Sequence, residues 1–307
     1  MEPVKKAPAS RRPDKMRLRV GGKVLALSNL DKVLYPAAGF TKAQVLHYYL
    51  QAAAVMLPHL AGRALTMKRY PEGVAADSFF EKRCPGHRPE WMPVASNGYC
   101  QADNPACLAW LANMAALEIH PQLAPDREPS RPTWLVFDLD PGPPAGILEC
   151  GRVGLVLRDM LQGMGLASWI KTSGGAGLHC YAPLNTPVSY DQTKSFARRL
   201  ARVLAQHWPD QVTSEMKKEL RRGKVFIDWS QNDVVKTTVS VYSLRAKPQP
   251  TVSTPLAWNE LQEAIDTSRP ERLVFLADQV LERIGKYGDL FREVLTKKQT
   301  LPSFSAE

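Results

Sequence analysis

Trp134-Leu135-Val136-Phe137-Asp138-Leu139-Asp140-Pro141-Gly142 reads as a buried strand that ends in two carboxylates and is stopped by a proline–glycine turn. Side chains alternate across a strand, so Asp138 and Asp140 project from one face at its carboxyl end, where a cleft can open. Two adjacent carboxylates repel each other, and a divalent cation is the usual means of keeping both ionised. The competing reading is a pair of aspartates that cap the following turn. Further along, Val225-Phe226-Ile227-Asp228-Trp229 is a second apolar strand with one acid. A lone buried acid needs a base or a metal. Arg221, Arg222 and Lys224 leave a structural ion pair open, whereas a third carboxylate would complete a two-metal site.

Between these strands lies Ser173-Gly174-Gly175-Ala176-Gly177-Leu178-His179-Cys180-Tyr181. Glycines allow backbone N–H groups to approach an anion closely, and His179 on the next strand can donate to a phosphate. The pattern is neither a Walker A loop nor a GxGxxG fingerprint. Taken alone it is a glycine-rich hairpin turn; beside the Asp-x-Asp strand it points to a phosphate site. Basic residues that could line a triphosphate or nucleic-acid path are Lys68, Arg69, Lys82, Arg83, Arg221, Arg222, Lys236 and Arg245. Phe79-Phe80 offers a stacking platform beside them. Each of these singly reads more readily as a solvated charge or a core aromatic than as a ligand contact, and His120 as a helix-end histidine.

The surrounding pattern is strand–helix–strand–strand–helix–strand from 134 to 229, which predicts a sheet with helices on one face, an α+β arrangement. The predicted elements are a hairpin around Gly21-Gly22, a helix capped by Thr41 and Gln44 that ends at Pro58, and a strand over 65–70. A helix over 105–119, helices over 147–163 and 189–208, a strand over 237–243, and a helix opened by Thr254-Pro255 complete the set. Residues 1–16 read as a linker and 301–307 as a tail. The 17–300 stretch is one module, with a 17–130 N-terminal α/β portion, a 131–245 core and a 246–300 helical wrap.

The chain has 307 residues, with 40 Lys+Arg against 30 Asp+Glu, a net charge of +10 that favours a polyanionic partner. No apolar run approaches the roughly 20 residues that span a bilayer, and the first residues lack a signal-peptide core, so no membrane partner is expected. Five scattered cysteines without a CxxC pair predict a reducing, cytoplasmic protein with no disulfide framework. Cys84, His87, Cys100 and Cys107 fit no compact zinc finger, and no zinc is expected.

Together these motifs resemble the archaeo-eukaryotic primase superfamily: Asp138-x-Asp140, then Ser173-x-Gly175-x-Gly177-x-His179, then a lone Asp228 on a strand. Leu30–Pro36, Met67–Gly73, Phe79–Lys82 and Leu117–His120 narrow the resemblance to the polymerase domain of bacterial ATP-dependent DNA ligase D, over roughly residues 17 to 300. The resemblance implies a primase-like catalytic core with an RRM-like sheet joined to an N-terminal α/β portion. It implies a nucleotidyltransferase that adds ribonucleotides, and less readily deoxynucleotides, to DNA 3′-hydroxyl ends, templated or not, in double-strand break repair by end joining. Asp138, Asp140 and Asp228 match the ligands of two manganese or magnesium ions. Ser173, Gly175, His179, Arg221 and Arg245 match positions around the nucleoside triphosphate, with His120 in a family block. Lys32 and Lys68 match a 5′-phosphate pocket at DNA gaps, and Phe79 and Phe80 a nucleotide-stacking pair. Implied partners are ligase and phosphoesterase modules of a parent chain and a Ku-type end-binding protein, at the bacterial nucleoid. A replicative-type primase, a non-catalytic DNA-end binding module and a metal-dependent nuclease or phosphatase remain the alternative readings.

Overall fold

The computed structural model describes residues 16–303, so positions 1–15 of the predicted linker and 304–307 of the predicted tail lie outside the described residues. The first elements among the described residues are the predicted hairpin, β1 (Met16–Val20) and β2 (Lys23–Leu27), and a small pair, β3 (Val33–Tyr35) and β4 (Phe40–Thr41). Helix α1 (Lys42–Leu60) starts at a capping box in which Thr41 and Gln44 exchange side-chain and backbone hydrogen bonds, a device worth about 1 kcal/mol. It does not stop at Pro58. That residue lies inside the helix, two residues before its end, and forgoes the bond its N–H would give the Ala54 carbonyl, and the buried His59 that follows is tied to Asp289 at 2.8 Å.

Strand β5 (Leu65–Arg69) is flanked by β6 (Phe79–Glu81) and, after α2 (Pro105–Asn113), by β7 (Ala116–Pro121). The predicted helix over 105–119 is therefore half helix and half strand. An apolar run cannot distinguish the two by periodicity; Ala115 turns at positive φ, and β5 supplies the backbone partners for a strand.

The central sheet contains β8 (Trp134–Pro141), β9 (Trp169–Thr172), β10 (Leu178–Pro183), β11 (Val212–Thr213), β12 (Val225–Asp228) and β13 (Pro255–Leu256), in the order β11-β12-β8-β10-β9-β13. All neighbours are antiparallel except β11 and β12. Helices α3 (Ile147–Gly163), α4 (Tyr190–His207) and α5 (Trp258–Asp266) cover one face. Leu135, Phe137 and Leu139 share a core with Leu157, Leu161, Phe196 and Leu261 there. Trp134 and Val136 point the other way, into a core shared with α1, α2 and α6 (Ala277–Tyr287). Arg63 ties the two halves together: its guanidinium lies 3.5 Å from the Trp134 ring centroid and donates to the Leu123 carbonyl at 2.6 Å. This is the expected α+β architecture: α3, α4 and α5 cover one face, and on the other the Trp134–Val136 end of β8 packs into the N-terminal core while Asp138 and Asp140 lie at its less buried end.

Three local readings change. Pro255-Leu256 pairs with Lys171 and Ile170 at the sheet edge, where a proline is tolerated, so the next helix begins at Trp258, with Glu260 receiving the Ala257 N–H at 2.8 Å. Residues 237–243 form no named strand. They run beside β7 through a bridge from Gln122 to Thr237 and a bond from Ser240 N to Ile119 O, then turn at Tyr242, which has φ 64°. Finally, Cys84 and Cys100 form a disulfide, Cα–Cα 4.6 Å, whereas Cys107, Cys150 and Cys180 are free and buried. The pairing arises because residues 94–100 fold back as a loop whose Gly98 carbonyl accepts from Cys84 N. It takes up two of the four candidate zinc ligands. Among the described residues no helix is long and apolar enough to cross a membrane.

Candidate active site

The strand register assembles the site. Asp138 on β8 has Asp228 of β12 directly opposite on one side and His179 of β10 on the other; Asp140 lies two residues along the same face, opposite Phe226. Two carboxylates of one strand and a third from about ninety residues later in the chain thus share one sheet face. Burial and the charges of Asp138 and Asp228 push Asp140 well above the usual carboxylate range, and burial raises Asp138 against the pull of Lys171 and Arg245. Ser230 locks Asp228, donating from its backbone N at 2.9 Å and its hydroxyl at 2.6 Å to Oδ1. Asn232 stitches this segment to β8 by pairing its carboxamide with both backbone groups of Val136.

Gln231, which the sequence reading missed, joins the acids. Its Nε2 faces Asp228 Oδ2 at 3.2 Å and Asp138 Oδ2 at 3.4 Å, and its Oε1 is buried without a hydrogen-bond partner. Among the described residues no three acids, histidines or cysteines are yet close enough to form a finished metal cage. Carboxylates held on one face against their own repulsion, beside an orphaned carboxamide oxygen, are nonetheless the hard oxygen donors that a magnesium or manganese ion takes.

The glycine loop closes the next side. A β-carbon on Gly177 would lie 2.1 Å from the Leu139 carbonyl oxygen, so only glycine lets the loop lie against β8. Gly174 turns at φ +67° against Val252 and Arg245. The N–H groups of Gly175 and Gly177 are turned onto Ser173 Oγ, at 3.1 and 3.3 Å, rather than outward as a phosphate nest would have them. With two hydrogen bonds accepted, the Ser173 hydroxyl keeps its own hydrogen for the cavity.

His179 Nε2 lies 3.2 Å from Asp138 Oδ1. Burial, then the charges of Lys171 and Arg245, lower its pKa well below the usual histidine range. Arg245 donates from Nη1 to the Ser173 carbonyl and lies 3.4 Å from Glu118. Glu118, also missed, is a buried hub that accepts from Ala246 N at 3.2 Å and Tyr70 Oη at 3.3 Å, with His120 Nε2 at 3.1 Å. Burial works to raise its pKa, but the His120 hydrogen bond and the Arg245 charge prevail and leave it at about 2. His120 itself is lowered, by burial first.

Asp138, Asp140, Ser173, Gly175, His179, His120 and Arg245 all line one cavity of 330 Å³, together with Ala176, Gln231, Lys247 and residues 237–239. A larger cavity, 680 Å³, runs between residues 186–199 and 300–303 and has no acid or histidine in its lining.

The remaining candidates lie outside this lining. Arg221 lies with its guanidinium 3.6 Å from the Phe226 ring centroid, where its charge lowers Asp140 against the effect of burial. Phe79 and Phe80 are exposed on β6 at the rim, and the Phe80 ring lies 6.1 Å from His120. Lys68 packs beside Phe80 and Tyr70, whereas Lys32 is paired with Glu72 at 2.7 Å. The structure therefore brings Lys68 and Phe80 together at the cavity mouth and gives Lys32 a different neighbour.

Residues 41–291 match the family model for the LigD primase-polymerase domain. The chain is similar to the multifunctional non-homologous end joining protein LigD of Mycolicibacterium smegmatis, 43% identical over 273 residues. That match covers 86% of this chain but only 35% of the relative. The bifunctional LigD of Bacillus subtilis is 30% identical over 91% of the chain and 45% of the relative. Among solved structures, the polymerase domain of Mycobacterium tuberculosis Ligase D in complex with DNA superposes with a TM-score of 0.82 at 41% identity, covering 90% of this chain and 99% of that one. A family model over most of the chain, and a solved domain matched almost end to end, agree with the three acidic and glycine motifs: the chain belongs to the LigD primase-polymerase family.

Proposed function

We propose that this chain is a polymerase that adds nucleotides to DNA 3′-hydroxyl ends during end-joining repair, acting at gaps and broken ends that carry a 5′-phosphate. One observation carries the reading: Asp138 and Asp140 line a cavity whose other walls include Ser173, His179 and Arg245, and Asp228 stands directly across from Asp138 on the neighbouring strand. An acid cluster alone would equally suit a nuclease; an acid cluster beside donors suited to a triphosphate favours nucleotidyl transfer.

Asp138, Asp140 and Asp228, with the Gln231 carboxamide oxygen at hand, would hold two divalent ions, manganese or magnesium. Bound there, the ions supply charge neutralisation and a more acidic attacking hydroxyl. The chain's own groups do the positioning. Ser173 donates its hydroxyl hydrogen, His179 its Nε2–H, and Arg245 the guanidinium N–H groups left over from Glu118 and Ser173. No protein nucleophile is required, because placing and neutralising the phosphates carries the rate. Phe80 and Phe79 stack on a base at the rim, and His120 stands behind Phe80. Arg221 supports the acids from the far side.

The matched relatives are longer proteins, of which this stretch covers about a third to a half. Ligase and phosphoesterase modules in a parent chain, a Ku-type partner and a cytoplasmic, nucleoid-associated setting are therefore part of the proposal, as is treating 17–300 as one polymerase module.

Incubation with primer-template, a nucleoside triphosphate and manganese tests it. A lengthened primer is expected, with ribonucleotides preferred. A shortened primer would mark a nuclease, a mobility shift alone a binding module, and synthesis without a primer a replicative-type primase. Lys68→Ala is expected to weaken binding to 5′-phosphorylated gaps about tenfold, the value of one charge-assisted hydrogen bond, and to leave 5′-hydroxyl gaps unaffected. Fluorescence anisotropy on the two gap types checks this; equal losses would argue against a phosphate contact at Lys68.

A further inference from the structure

Lys171 is fully buried on β9, and none of the chemistry above employs it. It lies directly across from His179 on the same sheet face, so Asp228, Asp138, His179 and Lys171 form one cross-strand row. Its Nζ is 2.6 Å from Ser253 Oγ and 3.1 Å from His179 Nδ1. Ser253 donates its hydroxyl hydrogen to the Thr172 carbonyl at 2.9 Å, which leaves its oxygen as the acceptor for Lys171.

The two sides of the imidazole select the same tautomer. Nε2 lies 3.2 Å from Asp138 Oδ1 in a charge contact, and a carboxylate oxygen repels a bare nitrogen lone pair but tolerates an N–H, so the ring hydrogen belongs on Nε2. Nδ1 then carries a lone pair, and Lys171 is the donor that meets it. A lysine in a dry strand is costly unless its hydrogens find partners, and here Ser253 and His179 are those partners.

We propose that Lys171 is a positioning residue that fixes His179 as a hydrogen-bond donor toward the incoming triphosphate. The inference rests on the nucleotide-facing reading of His179 above. With Nδ1 engaged from behind, the ring presents N–H to whichever anion occupies the cavity. Without Lys171 the ring is free to turn over or to move its hydrogen to Nδ1, and a bare nitrogen would face phosphate oxygens. The sequence carries a trace of this device: Lys171 stands in Trp169-Ile170-Lys171-Thr172, a short strand with no solvent-facing reason for a cation.

Two measurements test the proposal. Nitrogen-15 NMR of His179 in the unaltered protein is expected to show a hydrogen-bearing Nε2 and a bare Nδ1; the opposite tautomer would overturn the inference without touching the polymerase reading. Steady-state primer extension with Lys171→Met is expected to raise the KM for nucleoside triphosphate about tenfold, with a smaller change in kcat, as for loss of one well-placed hydrogen bond. In a His179→Ala background the same change is expected to add nothing. An equal loss in that background would mark Lys171 as a packing residue and overturn the proposal. An unchanged KM in His179→Ala alone would sink the nucleotide-facing reading of His179, and this inference with it.

Discussion

Asp138→Ala and Asp140→Ala are each expected to cut nucleotide addition by about a thousandfold or more, since the several kcal/mol that cation-borne charge neutralisation supplies to the transition state would be lost. The same substitutions are expected to leave the fold intact, and Asp140→Asn to make it more stable in chelator. Asp140 has a folded-state pKa raised above its unfolded value, by burial and by the charges of Asp138 and Asp228. Its ionised form therefore opposes folding. The penalty is absent below the unfolded value of about 3.8, grows as pH rises toward the folded-state pKa, and is complete above it. At pH 8 the asparagine variant escapes the penalty. Because Asp140 sits at the open end of β8, solvent screens much of the repulsion, and about 1 kcal/mol, or a Tm gain of about 2 °C, is the expected size. Differential scanning calorimetry at pH 8 and pH 4 checks the sign. A variant that loses both activity and stability at pH 8 would mean that the carboxylate is a structural ion-pair member, the alternative that Arg221 keeps open.

What the sequence made legible, and what it hid, follows from how each feature is encoded. The acid pair on β8 and the lone acid on β12 are written in period-two alternation within apolar strands, so their common face could be inferred before the register was known. That Asp228 would stand directly opposite Asp138 is a property of strand pairing, which no local pattern records. The same holds for the supporting residues. Gln231 enters the site because Asn232 clamps its segment to Val136, and Lys171 and Glu118 because β9 and β7 bring them under His179 and Arg245. A buried lysine or glutamate in a strand is nevertheless a readable oddity, and it was the signal available for both. Two of the misread elements share a cause: Ala116–Pro121 and Pro255–Leu256 are strands because a neighbour offered backbone partners, a tertiary effect that outweighed local preference.

Glu118→Ala is expected to be the most destabilising single change near the site. The carboxylate is buried, and it gathers Arg245, His120, the Ala246 N–H and the Tyr70 hydroxyl around two oxygens. Removing it strands a guanidinium in a poorly hydrated place, which costs about 3–5 kcal/mol for a buried pair broken from one side. Glu118→Gln retains acceptors for Ala246 and Tyr70 and is expected to cost about half as much. Acid provides an independent check without a mutation. The folded-state pKa, about 2, lies below the usual glutamate value of 4.5, so Glu118 contributes stability that is fully present above pH 4.5 and is lost as pH falls toward 2. Integrated over that window the contribution is about 3 kcal/mol. Urea unfolding of the unaltered protein and of Glu118→Gln at pH 7 and pH 3 should therefore show the gap between them narrowing in acid. A gap that stays constant would mean the carboxylate's charge is not what organises the cluster. The kinetic consequence follows from the same geometry. Glu118 and the Ser173 carbonyl together aim the Arg245 guanidinium into the cavity, so Glu118→Gln is expected to raise the KM for nucleoside triphosphate about tenfold through a residue that never touches the substrate. Were KM to stay fixed while stability fell, Arg245 would be held by Ser173 alone, and Glu118 would belong to the fold rather than to the aim of the site.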